Sequence, residues 1–180
     1  MDKNELAAKL RTVPDYPIPG IMFFDLTTLL KDGEAFSQVV DDICDLYRDK
    51  GITKVVGIES RGFICGAAVA KGLGAGFVPI RKPGKLPAET LSETYDKEYG
   101  TDTLEIHGDA LCEDDVVLIH DDILATGGTG AAAISLVKKF NPRKVYMNFI
   151  LRITDVPLTT EIPGDVEVTS LLELAEKPIG

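Results

Sequence analysis

The chain has 180 residues, 44% of them hydrophobic and 27% charged, with 29 acidic against 19 basic residues and a formal net charge of −10. That length suits one domain with a substantial core, and the hydrophobic content is too high for a disordered chain. The acidic surplus argues against nucleic acid or an anionic membrane as the main partner.

Cys44, Cys65 and Cys112 are scattered, with no C-x-x-C pair, so reduced thiols in a cytoplasmic protein are expected rather than a disulfide framework or a zinc knuckle. The opening Met1-Asp2-Lys3-Asn4-Glu5 lacks the basic-then-apolar layout of a signal peptide, and the apolar run Gly62 to Ala70 is too short to span a membrane. With only His107 and His120, a histidine-rich metal site is not expected.

Along the chain, a short helix is predicted over Asn4 to Val13, stopped by Pro14, because proline disfavours helix before it and removes a donor. Phe36, Val39, Val40, Ile43, Leu46 and Tyr47 form the apolar stripe of an amphipathic helix, with Asp32 its cap and Gly51 its stop. Lys54 to Ile58 reads as a buried strand, followed by Glu59-Ser60-Arg61-Gly62 and a small-residue helix through Ala70. A strand over Phe77 to Ile80 runs into Arg81-Lys82-Pro83-Gly84-Lys85. Segments Glu89 to Tyr95 and Thr103 to Ile106 suggest a mobile hairpin with its tip near Asp96 to Gly100. Val116 to Ile119 is the predicted central strand, followed by a loop over Asp121 to Gly130 and a helix to Phe140. Strands over Lys144 to Leu151 and Val166 to Leu172 complete the pattern. The alternation implies one α/β domain over 1–180, with a mostly parallel sheet flanked by helices.

Ligands of open parallel sheets bind outside the carboxyl ends of the strands, which directs attention to the loops at Glu59, Arg81 and Asp121. In the last of these, glycines let backbone N–H groups close around an anion at a helix start, and Thr126 and Thr129 add hydroxyl donors. A Walker loop is excluded because no lysine follows the glycines. Gly128-Thr129-Gly130-Ala131-Ala132-Ala133 formally fits the dinucleotide fingerprint, but the acidic pair and Thr-Gly-Gly already occupy the turn and no acid stands about twenty residues on. Adjacent Asp121 and Asp122 beside a phosphate cradle would repel the phosphate unless they face hydroxyls or a metal, and a ribose diol supplies two donors to such acceptors.

The run Val117 to Thr129 resembles the donor loop of type I phosphoribosyltransferases. Asp15 to Asp25, Glu59-Ser60-Arg61-Gly62-Phe63, and Arg81 to Pro87 with Glu98-Tyr99-Gly100 are similar to the adenine-using members. The resemblance implies transfer of phosphoribose from phosphoribosyl pyrophosphate (PRPP) to adenine, giving AMP and pyrophosphate, with Mg2+ carried mainly by substrate oxygens. It implies that 1–31 form a hood over the base pocket and that 81–106 form a flexible catalytic loop and hairpin. Ala125, Thr126, Gly127, Gly128 and Thr129 would hold the 5′-phosphate, and Asp121 with Asp122 the ribose hydroxyls. Arg61, Arg81, Lys82, Lys85 and Tyr99 would bind pyrophosphate, and Glu98 would take the proton adenine loses. Met22, Phe23, Phe24 and Ile153 would form the adenine pocket, and a strained or cis peptide is implied near Glu59-Ser60. In the family the 81–85 loop lies at a homodimer interface.

Phe24 stands where the family usually carries Arg or Lys, Arg152 departs from the neutral or acidic residue expected, and His120 replaces an aliphatic residue. The alternatives are another purine base (hypoxanthine, guanine or xanthine) or a non-enzymatic PRPP-sensing regulator.

Overall fold

The computed structural model describes residues 1–97 and 100–176. The first helix, α1 (Lys3–Ala8), starts at a reciprocal capping box in which Asp2 accepts from the Glu5 N–H and Glu5 accepts from the Asp2 N–H. It ends sooner than predicted. Residues beyond it form β1 (Arg11–Pro14), antiparallel to β2 (Met22–Asp25), so part of the expected helix is strand. Pro14 is compatible with this two-stranded ribbon because it sits at the strand end, where no further ladder bond is required.

A four-residue helix α2 (Thr27–Leu30) leads to α3 (Gly33–Tyr47), capped by Asp32 as predicted. The buried face of α3 comprises Ala35, Val39, Ile43, Cys44 and Tyr47. Next come β3 (Lys54–Ile58), α4 (Gly62–Leu73) and β4 (Gly76–Ile80). Gly74 closes α4 at φ 67°, the left-handed conformation glycine adopts without a steric penalty. A long hairpin, β5 (Thr90–Lys97) and β6 (Gly100–His107), precedes β7 (Val116–Leu124). The chain then forms α5 (Gly128–Lys138), β8 (Lys144–Ile153) and β9 (Glu167–Leu174).

The five-stranded sheet has the order β4-β3-β7-β8-β9, and every neighbouring pair is parallel. Chain order therefore reverses between β3 and β7, making the gap at their carboxyl ends the switch point where such sheets bind ligands. One core lies against α3 and α4 and includes Leu118, Val55 and Val69; the other lies against α5 and the hairpin and includes Ile119, Ile134 and Leu104. Burial on both faces explains why β3 and β7 read as continuous apolar runs. The structure extends β7 through Leu124, pairing Asp121 with Phe149 and Ile123 with Leu151. Asp121 and Asp122 thus belong to the strand end, not to the loop predicted for them.

Two buried polar groups hold the sheet. His120 is fully buried, its Nδ1 3.0 Å from Asn148 Oδ1, while Asn148 Nδ2 donates to Thr169 Oγ1 and Tyr47 approaches the same hydroxyl at 2.6 Å. This thread ties β7, β8, β9 and α3 together. Burial pushes the His120 imidazole down to about 4, so the ring is neutral at pH 7.

At the opposite end of the sheet, Asp115 accepts from Thr53 Oγ1 at 2.7 Å, Lys54 Nζ at 2.9 Å and the Cys112 N–H at 2.9 Å. Burial alone would raise the Asp115 carboxyl, but these bonds outweigh it and lower the pKa to about 2. Asp115→Asn should therefore cost about 1–3 kcal/mol in urea unfolding at pH 7, through partners left buried and unpaired. Because the folded value lies below the unfolded one, this stabilisation is complete above the unfolded pKa and disappears as pH falls through about 2. Wild type and variant should accordingly converge in stability when melted at progressively lower pH.

Candidate active site

The ends of β3 and β7 meet through glycine. A Cβ placed on Gly62 would lie 2.9 Å from the His120 carbonyl oxygen and 3.2 Å from Asp121 Oδ1, so only glycine permits this approach of α4 to β7. The approach carries Arg61, at the start of α4, onto Asp122, with Nε 2.7 Å from Oδ2. The Glu59–Ser60 peptide just before it is cis, in agreement with the family resemblance.

A 450 Å³ cleft opens here, lined by Glu59, Ser60, Arg61, Lys82, Asp121 and Asp122, together with Thr129. Burial, followed by the neighbouring Asp122 charge, pushes the Asp121 carboxyl well above the usual carboxylate range. Each carboxylate also accepts from the N–H of the residue after it, Asp121 from Asp122 and Asp122 from Ile123, both at 2.9 Å. These bonds fix the two side chains at the strand end before any ligand arrives.

Adjoining the cleft is a smaller cavity of 110 Å³ whose wall includes Ala125, Thr126, Gly127, Gly128 and Thr129, with Asp121 and Thr129 shared between the two. Gly127 has φ 87°, and a Cβ there would lie 3.0 Å from the Thr160 carbonyl, so this turn also requires glycine. Helix α5 begins at Gly128, aiming its unpaired N–H groups and positive end at the cavity. The 158–160 segment supports the loop from outside, with the Thr159 N–H donating to Thr126 O at 3.0 Å.

The predicted pyrophosphate cations divide. Arg61 and Lys82 line the cleft, whereas Arg81 turns its Nε to Glu59 Oε1 at 2.7 Å and Lys85 stands exposed. Arg81 also pairs its backbone with Glu105 on β6, at 2.9 and 2.8 Å. Glu105 in turn accepts from the Gly84 N–H and from Thr90 Oγ1, bracing the cationic loop at both ends. Glu98 and Tyr99 lie outside the described residues.

On the hood, Phe23 is half-buried, edge-on to Tyr16 at 5.1 Å between ring centroids, and the Arg61 guanidinium lies 6.0 Å from its ring centre. Phe24 turns inward at 5% exposure and packs in the α3-side core, leaving only its backbone available to a base. This explains how a phenylalanine is accommodated where a cation was expected. Met22 and Ile153 pack against the same core, and Arg152 is exposed.

Sequence reasoning missed Tyr95, Asp102, Glu105 and Thr160. Tyr95 lays its ring over Gly128, 3.5 Å from a Cβ placed there, and brings its hydroxyl to 3.0 Å from Thr129 Oγ1. The β-pairing Tyr95–Asp102 could in principle be read from the hairpin's alternation, but its docking on α5 is a tertiary contact.

Residues 27–152 match the family model described as phosphoribosyl transferase domain. The adenine phosphoribosyltransferase of Bacteroides fragilis is 59% identical over 97% of this chain and 99% of its own length. That of Shewanella frigidimarina is 48% identical over 96% and 97%. Among solved structures, the adenine phosphoribosyltransferase of Rhodothermus marinus superposes with a TM-score of 0.85 at 45% identity, covering 95% of this chain and 97% of that one. The enzyme from Giardia lamblia complexed with 9-deazaadenine gives 0.87 at 40% identity, covering 96% and 98%. The switch-point cleft, its glycine cradle and these full-length similarities agree: the chain belongs to the phosphoribosyltransferases, within the adenine phosphoribosyltransferase family.

Proposed function

We propose that this enzyme transfers the phosphoribosyl group of PRPP to adenine, yielding AMP and pyrophosphate in purine salvage. The observation that carries the reading is the pair of joined cavities: a glycine-lined cradle at a helix start and a larger cleft bearing Arg61 and Lys82, sharing Asp121 and Thr129. A ligand with a phosphate at one end, a diol in the middle and a pyrophosphate at the other matches that order of donors and acceptors.

In this reading Ala125 to Thr129 hold the 5′-phosphate through N–H and hydroxyl donors. Asp121 and Asp122 accept from the ribose hydroxyls, fixing the sugar so that its anomeric carbon faces the base. Arg61 and Lys82 offset the charge that gathers on the departing pyrophosphate. Arg81 shapes the loop through Glu59, and Lys85, exposed on that loop, extends toward the neighbouring subunit of a homodimer. The hood presents Phe23 to one face of adenine and the backbone of residues 22–24 to its edge, with Ile153 on the other side. Glu98 accepts the adenine proton, and Tyr99 helps the hairpin exclude water.

Among the described residues, no three His, Cys, Asp or Glu side chains converge as a metal cage. Of the three acidic side chains that line the cleft, Asp121 and Asp122 would help hold a magnesium ion carried mainly by the substrate's own oxygens. When bound, the ion supplies charge neutralisation for the leaving group. The free thiols of Cys44, Cys65 and Cys112 support a cytoplasmic location, and no helix among the described residues is long and apolar enough to cross a membrane.

Purified protein with magnesium, PRPP and each purine base in turn should form AMP from adenine, with hypoxanthine, guanine and xanthine far slower. AMP formation absent with adenine but present with another base would reassign the base pocket. Glu98→Gln should lower kcat by about 10²–10⁴-fold, the usual worth of a proton acceptor, while adenine binding measured by calorimetry changes little. Wild-type turnover in this variant would remove Glu98 from the chemistry.

A further inference from the structure

Lys82 faces the cleft, yet its ammonium is already engaged. Asp102, on β6 directly across the hairpin from Tyr95, takes the Lys82 Nζ on Oδ2. The same oxygen receives Lys97 Nζ at 3.0 Å and the Tyr95 hydroxyl at 3.4 Å, while Oδ1 accepts the Thr103 N–H at 3.0 Å. These bonds, that from Lys82 foremost, hold the Asp102 carboxyl far below the usual carboxylate range, so it is ionised at any working pH.

The direction of the hydrogen bonds follows from the donors available. An ionised carboxylate only accepts, so Tyr95 gives its one hydroxyl proton to Asp102. The Tyr95 oxygen, 3.0 Å from Thr129 Oγ1, then accepts the Thr129 proton. Thr129 lines both cavities, and Lys82 lines the cleft. One internal carboxylate therefore engages a cation from the cleft directly and a donor from the cradle through Tyr95.

We propose that Asp102, with Tyr95 bonded to it, is an internal stand-in for the substrate's phosphates: PRPP takes Lys82 from Asp102 at its pyrophosphate end and the Thr129 hydroxyl from Tyr95 at its 5′-phosphate end. The inference rests on the reading of the cleft as a pyrophosphate site. The exchange sets the affinity of the site. Each anion–donor bond formed with ligand is offset by one broken with Asp102 or Tyr95, which lets a highly charged product leave. It also couples the hairpin to both ends of the ligand, because the Tyr95–Thr129 and Lys82–Asp102 bonds are among those that join the hairpin to the site.

Magnesium pyrophosphate, titrated calorimetrically into the full chain, tests this. Asp102→Asn should bind it more tightly than wild type by about two- to fivefold, the worth of a partly exposed ion pair. Asp102→Ala should shift affinity in the same direction. In a Lys82→Met background the gain from Asp102→Asn should vanish. Weaker or unchanged binding in both Asp102 variants overturns the proposal, as does a gain that persists in full without Lys82, which would reflect only the loss of a negative field. If wild type binds pyrophosphate and these signs fail, the stand-in falls while the proposed activity remains. If wild type does not bind it, both fall.

Discussion

The contact between the start of α4 and the end of β7 is the one on which the site depends. Gly62 lets the helix approach until a methyl group would overlap the His120 carbonyl. That closeness brings the 59–61 turn of β3 and the acidic end of β7 to opposite walls of one cleft. The strand end is itself immobilised from below, since His120 is bonded through Asn148 and Thr169 to α3. Interiors packed at this density transmit strain rather than absorb it. A larger residue at position 62 would therefore move Arg61 or Asp121 and alter the chemistry without touching the ligand.

Charge is organised on the same principle. In the proposed reading a chain of net charge −10 holds a polyanion, and the cations which that reading assigns to the task are not idle beforehand. Arg61 is paired with Asp122, Arg81 with Glu59 and Lys82 with Asp102. Pairing keeps each long side chain in one geometry, which lowers the entropy lost when a ligand is gripped. It also divides the three by role. In the proposed reading Asp122 receives the ribose diol, so Arg61 and Asp122 both serve ligand while remaining neighbours. Glu59 precedes the cis peptide and lies at the cleft wall, so Arg81 is better placed to shape the turn than to leave it. Asp102 belongs to the hairpin, so a change at Lys82 is felt by that element.

Much of this was legible in the residues themselves. The parallel strands were readable as apolar runs because both sheet faces are buried, and α3 because its stripe follows the helical period. Asp121, Asp122 and the Thr-Gly-Gly run were readable because their chemistry is local: carboxylates at a strand end and glycines at a helix start. The hood was not. Residues 11–14 continue a helix-like composition, but β2 offers them a ladder, and pairing between segments separated by the Pro-rich turn overrides local preference. The extension of β7 to Leu124 was hidden for a similar reason, since pairing with Phe149 and Leu151 on β8 keeps acidic residues in a strand.

The cationic loop marks the limit more sharply. Arg81, Lys82 and Lys85 form one cluster in the sequence, and nothing in their spacing separates them. The structure gives them three fates because their partners, Glu59, Asp102 and open solvent, lie on three different surfaces. Glu105 is equally illegible: a charged residue on a solvent-facing hairpin looks like surface, yet it accepts from Gly84 and Thr90 and so holds the loop's curvature. Local pattern identifies the groups able to meet a phosphate. Which of them are free to do so is decided by carboxylates far along the chain, because at these short distances the strongest competitor for a substrate anion is an acid of the protein itself.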